Sequence, residues 1–369
     1  MRELARFLIE MRKLDSNITT LFSVLKPQNF DIIIQATKTV AKYDIDKESY
    51  KSPSYAMNFG TSIKQCCEIA IYHALKRKDA YGTVSSAETE AELKTVTAHW
   101  KFHISTLAAN DLSIKKWNRV TLIPFASDIK LLKEYLVMKG NEAVCKLVDE
   151  PDEPYYKILM ETVYCRIILL NRKRPGKLQR MMLDTYENSL TNVNNQNYEE
   201  FSEAISPTEN ILMKHFKRVV IRGKRGRGVP VLLSKEIQEH SEVLLKYRYK
   251  FISGNNLYFF GQTTSKEPIC GYKVLEKYAK ECGAKNHHAI ISTKLRKHLA
   301  TLSQIFGMNE NDLEQLATFM GHTLGVHRQN YRLPDDVFQT AKIAKILLLM
   351  EQGSLSQFKG KTLDEINLV

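Results

Sequence analysis

Apolar residues recur at three- and four-residue spacing along most of the chain, the period of a helix with one buried face. Leu4, Phe7, Leu8, Met11 and Leu14 set the pattern at the start, and residues from about 1 to 140 read as helical with no competing strand pattern. A second helix is expected from Ser62 to Arg77, turning Ile63, Cys67, Ile69, Ala70, Ile71 and Ala74 inward. A third runs from about Glu90 to Ala109 and a fourth from Asp128 to Met138. Trp100 and Trp117 are expected to serve helix packing.

The run Asp149-Glu150-Pro151-Asp152-Glu153-Pro154 interrupts this pattern, because proline lacks the amide that a helix interior needs. The sequence therefore divides into 1–148 and 149–369. Beyond it a helix is expected over Tyr155–Tyr186, broken at Pro175, and then a polar loop from Asn188 to Asn197. Two β-branched runs, Phe216–Arg222 and Val229–Leu233, flank the basic, glycine-rich Gly223-Lys224-Arg225-Gly226-Arg227-Gly228 and predict a β-hairpin. Helices follow over Glu236–Tyr249, Gly271–Cys282, Ser292–Phe306, Asp312–Met320 and Asp336–Glu351. The expected class is α+β, mainly α, with a helical first domain and a small β-sheet in the second.

Composition narrows the function. Of 369 residues, 43% are hydrophobic and 26% charged, which fits globular domains and excludes a fibrous or disordered chain. The 54 Lys and Arg exceed the 41 Asp and Glu by 13, favouring a polyanionic partner. The six cysteines form no CxxC pair and are expected to be reduced thiols of an intracellular, non-secreted protein. No apolar run is long enough to span a bilayer, so no membrane partner is expected. Cys282 with His287 and His288 lacks zinc-site spacing, no Walker-type phosphate loop occurs, and no cofactor or metal is expected.

Chemistry concentrates toward the C-terminal end. Gly321-His322 is followed nine residues later by Tyr331, and Lys294-Leu295-Arg296-Lys297-His298-Leu299-Ala300-Thr301 precedes them. With Arg174-Pro175-Gly176-Lys177-Leu178 and the hairpin tip, these segments resemble the motifs of tyrosine recombinases and phage-type integrases, in the order that family uses. The resemblance covers motifs over about 150–340 and the first domain in helical character alone. It implies that Arg174 and Arg296 clamp a phosphate, Lys224 is the general acid, His322 binds a non-bridging oxygen and Tyr331 is the nucleophile. It further implies a helical core-binding domain and a catalytic domain closing on double-stranded DNA as a C-shaped clamp, assembled as a homo-tetramer.

Two positions depart from the family pattern. Thr293 stands where a histidine is usual; three residues from Arg296, it can share a helical face and hydrogen-bond a phosphate, but it cannot shuttle a proton at neutral pH. Lys177 replaces a glutamate that buttresses the first arginine. Compensation from His287 or His288 is an expectation, and Arg172-Lys173-Arg174 can also be read as a solvated basic corner. Arg222, Arg225, Arg227, Lys294 and Lys297 are candidate DNA contacts. The C-terminal amphipathic stretch, Val337–Met350, is expected to dock on a neighbouring protomer or fold back on its own domain.

The run Arg-Lys-His-Leu-Ala-Thr, then Gly-His and Tyr-Arg-Leu-Pro, also looks like recombinases of Crypton-type mobile elements, which places the expected site of action in the nucleus. Two rival readings are a DNA-binding protein descended from such a recombinase but no longer catalytic, and a type IB topoisomerase.

Overall fold

The computed structural model describes residues 2–76, 86–115, 124–191, 205–223, 226–305, 308–321, 323–325 and 343–351. The chain forms two compact units, 1–120 and 121–369. It is mainly helical, with two small antiparallel sheets among the described residues.

The first unit contains α1 (Arg2–Leu14), α2 (Leu21–Val24), α3 (Phe30–Val40), α4 (Pro53–Lys76), α5 (Ser86–Trp100) and α6 (Thr106–Ile114). Between α3 and α4 lies a hairpin the sequence pattern did not reveal, β1 (Tyr43–Asp44) and β2 (Ser49–Tyr50), each strand too short for alternation to register. The helix expected from Ser62 begins at Pro53, a residue suited to a first turn. Its Ile63, Cys67 and Ala70 are buried but Ile69 is 55% exposed, because position 69 lies off the face shared by 63, 67 and 70. The helix expected over 90–109 is interrupted by a π-turn at Lys101–Ser105. Trp100 is buried with its indole against Gly60, a packing role; Trp117 lies outside the described residues.

This core encloses a carboxyl group as well as the Tyr50 hydroxyl and the Trp100 indole nitrogen without hydrogen-bond partners among the described residues. The carboxyl is that of Glu92 on α5, fully buried, neither of whose oxygens has a hydrogen-bond partner among the described residues. Burial pushes its carboxyl up to about 8. The nearby Cys67 thiol is pushed up to about 12, first by burial and then by Glu92.

In the second unit come α7 (Ala126–Asp149), α8 (Glu153–Asn171), α9 (Pro175–Leu178), α10 (Leu183–Thr191) and α11 (Pro207–His215). The hairpin β3 (Phe216–Arg222) and β4 (Gly228–Ser234) follows, then α12 (Lys235–Phe251), α13 (Gly271–Glu281), α14 (Ser292–Ile305), α15 (Glu310–Phe319) and α16 (Ala344–Glu351). The proline-rich run does end one helix and start the next. The compact units nevertheless divide earlier, because Leu132, Leu136, Ala143 and Leu147 of α7 share one core with α8.

Helix α8 is the centre of this unit. Residues 159–169 are buried without interruption, so the helix is enclosed on all sides. Its polar groups are matched. Glu161 accepts from Lys277 Nζ at 2.7 Å and Tyr278 Oη at 3.1 Å, and Arg166 donates to Glu236 at 2.6 Å. Asn171 receives the Leu232 amide and donates to the Leu232 carbonyl, both at 2.7 Å, so its side chain continues the β4 ladder. The helix stops at Asn171, well short of Pro175, because Arg172 turns left-handed with φ 52°.

The predicted hairpin is in register, with Val219 opposite Val231. Val219, Ile221, Val231 and Leu233 point into the core, whereas Arg218 and Arg222 face out. Asn188, expected in a loop, lies within α10, and residues 192–204 are outside the described part. Of the expected 336–351 helix, 344–351 is described; Leu349 is buried and Leu347, Leu348 and Met350 are exposed. Among the described residues no helix is long and apolar enough to cross a membrane.

Glu92 generates a stability prediction. Its carboxyl is raised from 4.5 to about 8 in the folded chain, so both states hold the proton below pH 4.5. As pH rises towards 8 the unfolded chain ionises while the folded one does not, and stability is lost over that window. Glu92→Leu is expected to raise the stability of the first unit by about 1–4 kcal/mol, with a gain that grows from pH 5 to pH 8. Urea unfolding at several pH values measures this, and a pH-independent difference would contradict it.

Candidate functional site

The left-handed turn at Arg172 redirects the chain as it leaves the buried helix. Arg174 then takes an extended conformation and Pro175 opens α9. Tyr164 of α8 donates to the Pro175 carbonyl at 3.0 Å, and Gln179 accepts from the Gly271 amide at 3.1 Å. These bonds fix α9 against the start of α13. The approach at Gly271 is so close that a Cβ there would stand 1.9 Å from Tyr164 Oη.

An open cleft of about 710 Å³ lies over this junction. Arg174, Thr293 and Arg296 line it together with His287 and His288. Arg174 and Thr293 are exposed, and Arg296 is 3% exposed. Arg296, on α14, donates through Nη2 to the Met320 carbonyl at 3.3 Å. The His287 and His288 rings lie 3.9 Å apart by centroid, on the wall that also carries Thr293. His298 is half-buried beside Arg172, and burial first, then the Arg172 charge, lower its pKa.

Three expected site residues thus meet in one cleft. Lys224, His322 and Tyr331 lie outside the described residues, as does Arg225. The segments flanking them are visible. Arg222 and Arg227 are exposed at the base of the hairpin tip, where the Gly223 amide donates to the Arg227 carbonyl at 2.7 Å. Gly321 ends the α15 turn with φ 73° and lies near Val229 of β4. Lys294 donates to the His288 carbonyl at 3.3 Å on the cleft rim, and Lys297 is half-buried. Lys177, at the position of the buttressing glutamate, is half-buried.

The solvated-corner reading holds for Arg174 and fails for its neighbours. Lys173 is 2% exposed; its ammonium donates to the Phe319 carbonyl and sits 3.5 Å from the Phe319 ring centroid. Arg172 has a buried Nη1 without a hydrogen-bond partner among the described residues, and burial lowers its pKa to about 10. The helical period cannot reveal either environment, since both follow the end of α8. A basic triplet placed directly after an apolar helix was the available signal. Among the described residues no group of three or more His, Cys, Asp or Glu side chains is placed to hold a metal ion.

Neither a family model nor a curated protein matches the chain. Among solved structures it is similar to the XerH site-specific recombinase bound to difH substrate in a pre-cleavage complex. The identity there is 12% and the TM-score 0.40, covering 92% of this chain and 94% of that one. A post-cleavage complex of XerH on palindromic difH gives 12% and 0.40 over 85% and 83%. The XerA recombinase gives 10% identity and a TM-score of 0.37 over 94% and 98%.

The contact of Gly271 with Tyr164 generates a test of the junction. Gly271→Ala is expected to destabilise the second unit by about 1–3 kcal/mol, since the added methyl must displace the phenol and its bond to Pro175. Denaturant titration measures the loss. Stability equal to wild type would show that the junction tolerates a side chain there.

Proposed function

We propose that this chain is a tyrosine recombinase, breaking and rejoining double-stranded DNA through Tyr331. The observation supporting it is the meeting of Arg174 and Arg296, from distant parts of the sequence, with Thr293 in one cleft. Two guanidiniums at one opening suit an anion with several oxygens, because their planar donors hold two oxygens at once.

In this reading the arginines neutralise charge on the scissile phosphate as it becomes pentavalent. The Tyr331 phenol releases its proton to solvent as its oxygen attacks phosphorus, the phosphorus–5′-oxygen bond breaks, and a 3′-phosphotyrosyl bond forms. Lys224 gives its proton to the leaving 5′-oxygen, and His322 and Thr293 hydrogen-bond the non-bridging oxygens. Because the phosphoester energy is kept, attack by a 5′-hydroxyl of a second duplex reverses the step without cofactor. Arg222, Arg225, Arg227, Lys294 and Lys297 contribute phosphate contacts. A tetramer on DNA and a nuclear site of action belong to the same proposal.

A second reading, a recombinase-derived DNA binder without catalysis, is favoured by Thr293, which cannot act as an acid or base at neutral pH, and by Lys177 in place of the buttressing glutamate. His287 and His288 offer imidazoles on the same wall. Nicked suicide duplexes from the flanks of the gene separate the readings. Wild type is expected to form a covalent protein–DNA adduct that Tyr331→Phe abolishes. Binding without adduct, unrelieved by Thr293→His, would favour the non-catalytic reading; supercoil relaxation without strand exchange would indicate topoisomerase chemistry.

A further inference from the structure

Lys173 is a buried cation that the reaction above does not use. Among the described residues no carboxylate pairs with it. Removing an ammonium from water without a counter-charge is costly, so its surroundings must compensate. They do so with the Phe319 carbonyl, at the negative end of the α15 dipole, and with the face of the Phe319 ring. Arg296 holds the next carbonyl, that of Met320. Ser292 Oγ donates to the Lys173 carbonyl at 3.0 Å, which fastens the same residue to the start of α14.

We infer that Lys173 is a positioning residue: it joins the chain before Arg174, the start of α14 beside Thr293 and the end of α15, and so sets the turn at Gly321 against Arg296. Three segments far apart in sequence converge on this one side chain and its backbone. The left-handed Gly321 follows directly, so any displacement of the Phe319 carbonyl passes into the turn.

The charge on Lys173 is sensitive to its setting. Burial first, and then the Arg296 charge, lower its pKa from 10.5 to about 7. Arg172 and Arg174 flank it in the chain, and His298 of α14 lies beside Arg172. An anion at Arg174 and Arg296 offsets their repulsion, favours the protonated ammonium and strengthens its hold on α15. This coupling rests on the reading of the cleft as a phosphate site; the clamp itself does not.

Hydrogen exchange read at the Met320 and Gly321 amides, bonded to the Leu316 and Thr318 carbonyls, tests the clamp without DNA. At a single pH, Lys173→Met is expected to speed exchange there about tenfold, with Lys173→Arg close to wild type and the Ala41 amide of the first unit unchanged. Unaltered protection in Lys173→Met overturns the inference. Should that variant fail to fold, Phe319→Leu removes the ring alone and is expected to speed the same amides about threefold; no change overturns it equally.

Adduct formation at saturating DNA then tests the role in catalysis. Lys173→Met is expected to lower the rate constant about tenfold, with Kd within about twofold, and Lys173→Arg to restore the rate and flatten its pH dependence near 7. Lost affinity at an unchanged rate overturns the positioning role. If wild type forms no adduct, the recombinase reading fails while the exchange result still decides the clamp.

Discussion

A helix buried on every side must place the polar ends of its backbone somewhere, and in this protein that constraint organises the second unit. Helix α8 runs through the core with its own charges matched, and it ends where Arg172 turns left-handed. From that turn the chain delivers one cation inward, Lys173, and one outward, Arg174. The inward ammonium meets the carbonyl end of α15, where Arg296 also arrives. Helix C-termini attract cations, so the dipole of α15 supplies part of the compensation a carboxylate would otherwise give.

Among the described residues no carboxylate pairs with Lys173. Arg172, Lys173 and His298 have pKa values lowered chiefly by burial. A protein that keeps such cations together bears an electrostatic cost that an arriving polyanion relieves. In the proposed reaction, the exposed Arg174 and Thr293 on the cleft wall receive that anion.

Buried charge is handled differently elsewhere. Glu161 has Lys277 and Tyr278, Arg166 has Glu236, and Asp128 accepts the Lys285 and Asn286 amides at 3.1 and 3.0 Å. Each of these groups fastens one element of the second unit to another. Glu92 of the first unit has no such partner, and its carboxyl keeps its proton well above the ordinary range instead. It contributes no cross-link of this kind.

The sequence alone determined the elements whose signals are local. The helical period located α1, α7 and α12 to α15, and alternation around glycine located the β3–β4 hairpin, because a buried face or a tight turn imprints itself on neighbouring residues. The resemblance to tyrosine recombinase motifs also pointed to Arg174, Thr293 and Arg296. The tertiary structure decided what depends on distant partners. The unit boundary moved to 120/121 because α7 packs on α8, a preference that prolines between the two helices do not express. Of three successive basic residues, it buried Lys173 and exposed Arg174, since the left-handed backbone at Arg172 sets their directions. It brought His287 and His288 to the cleft and kept His298 beside Arg172, a distinction of place that residue type does not encode.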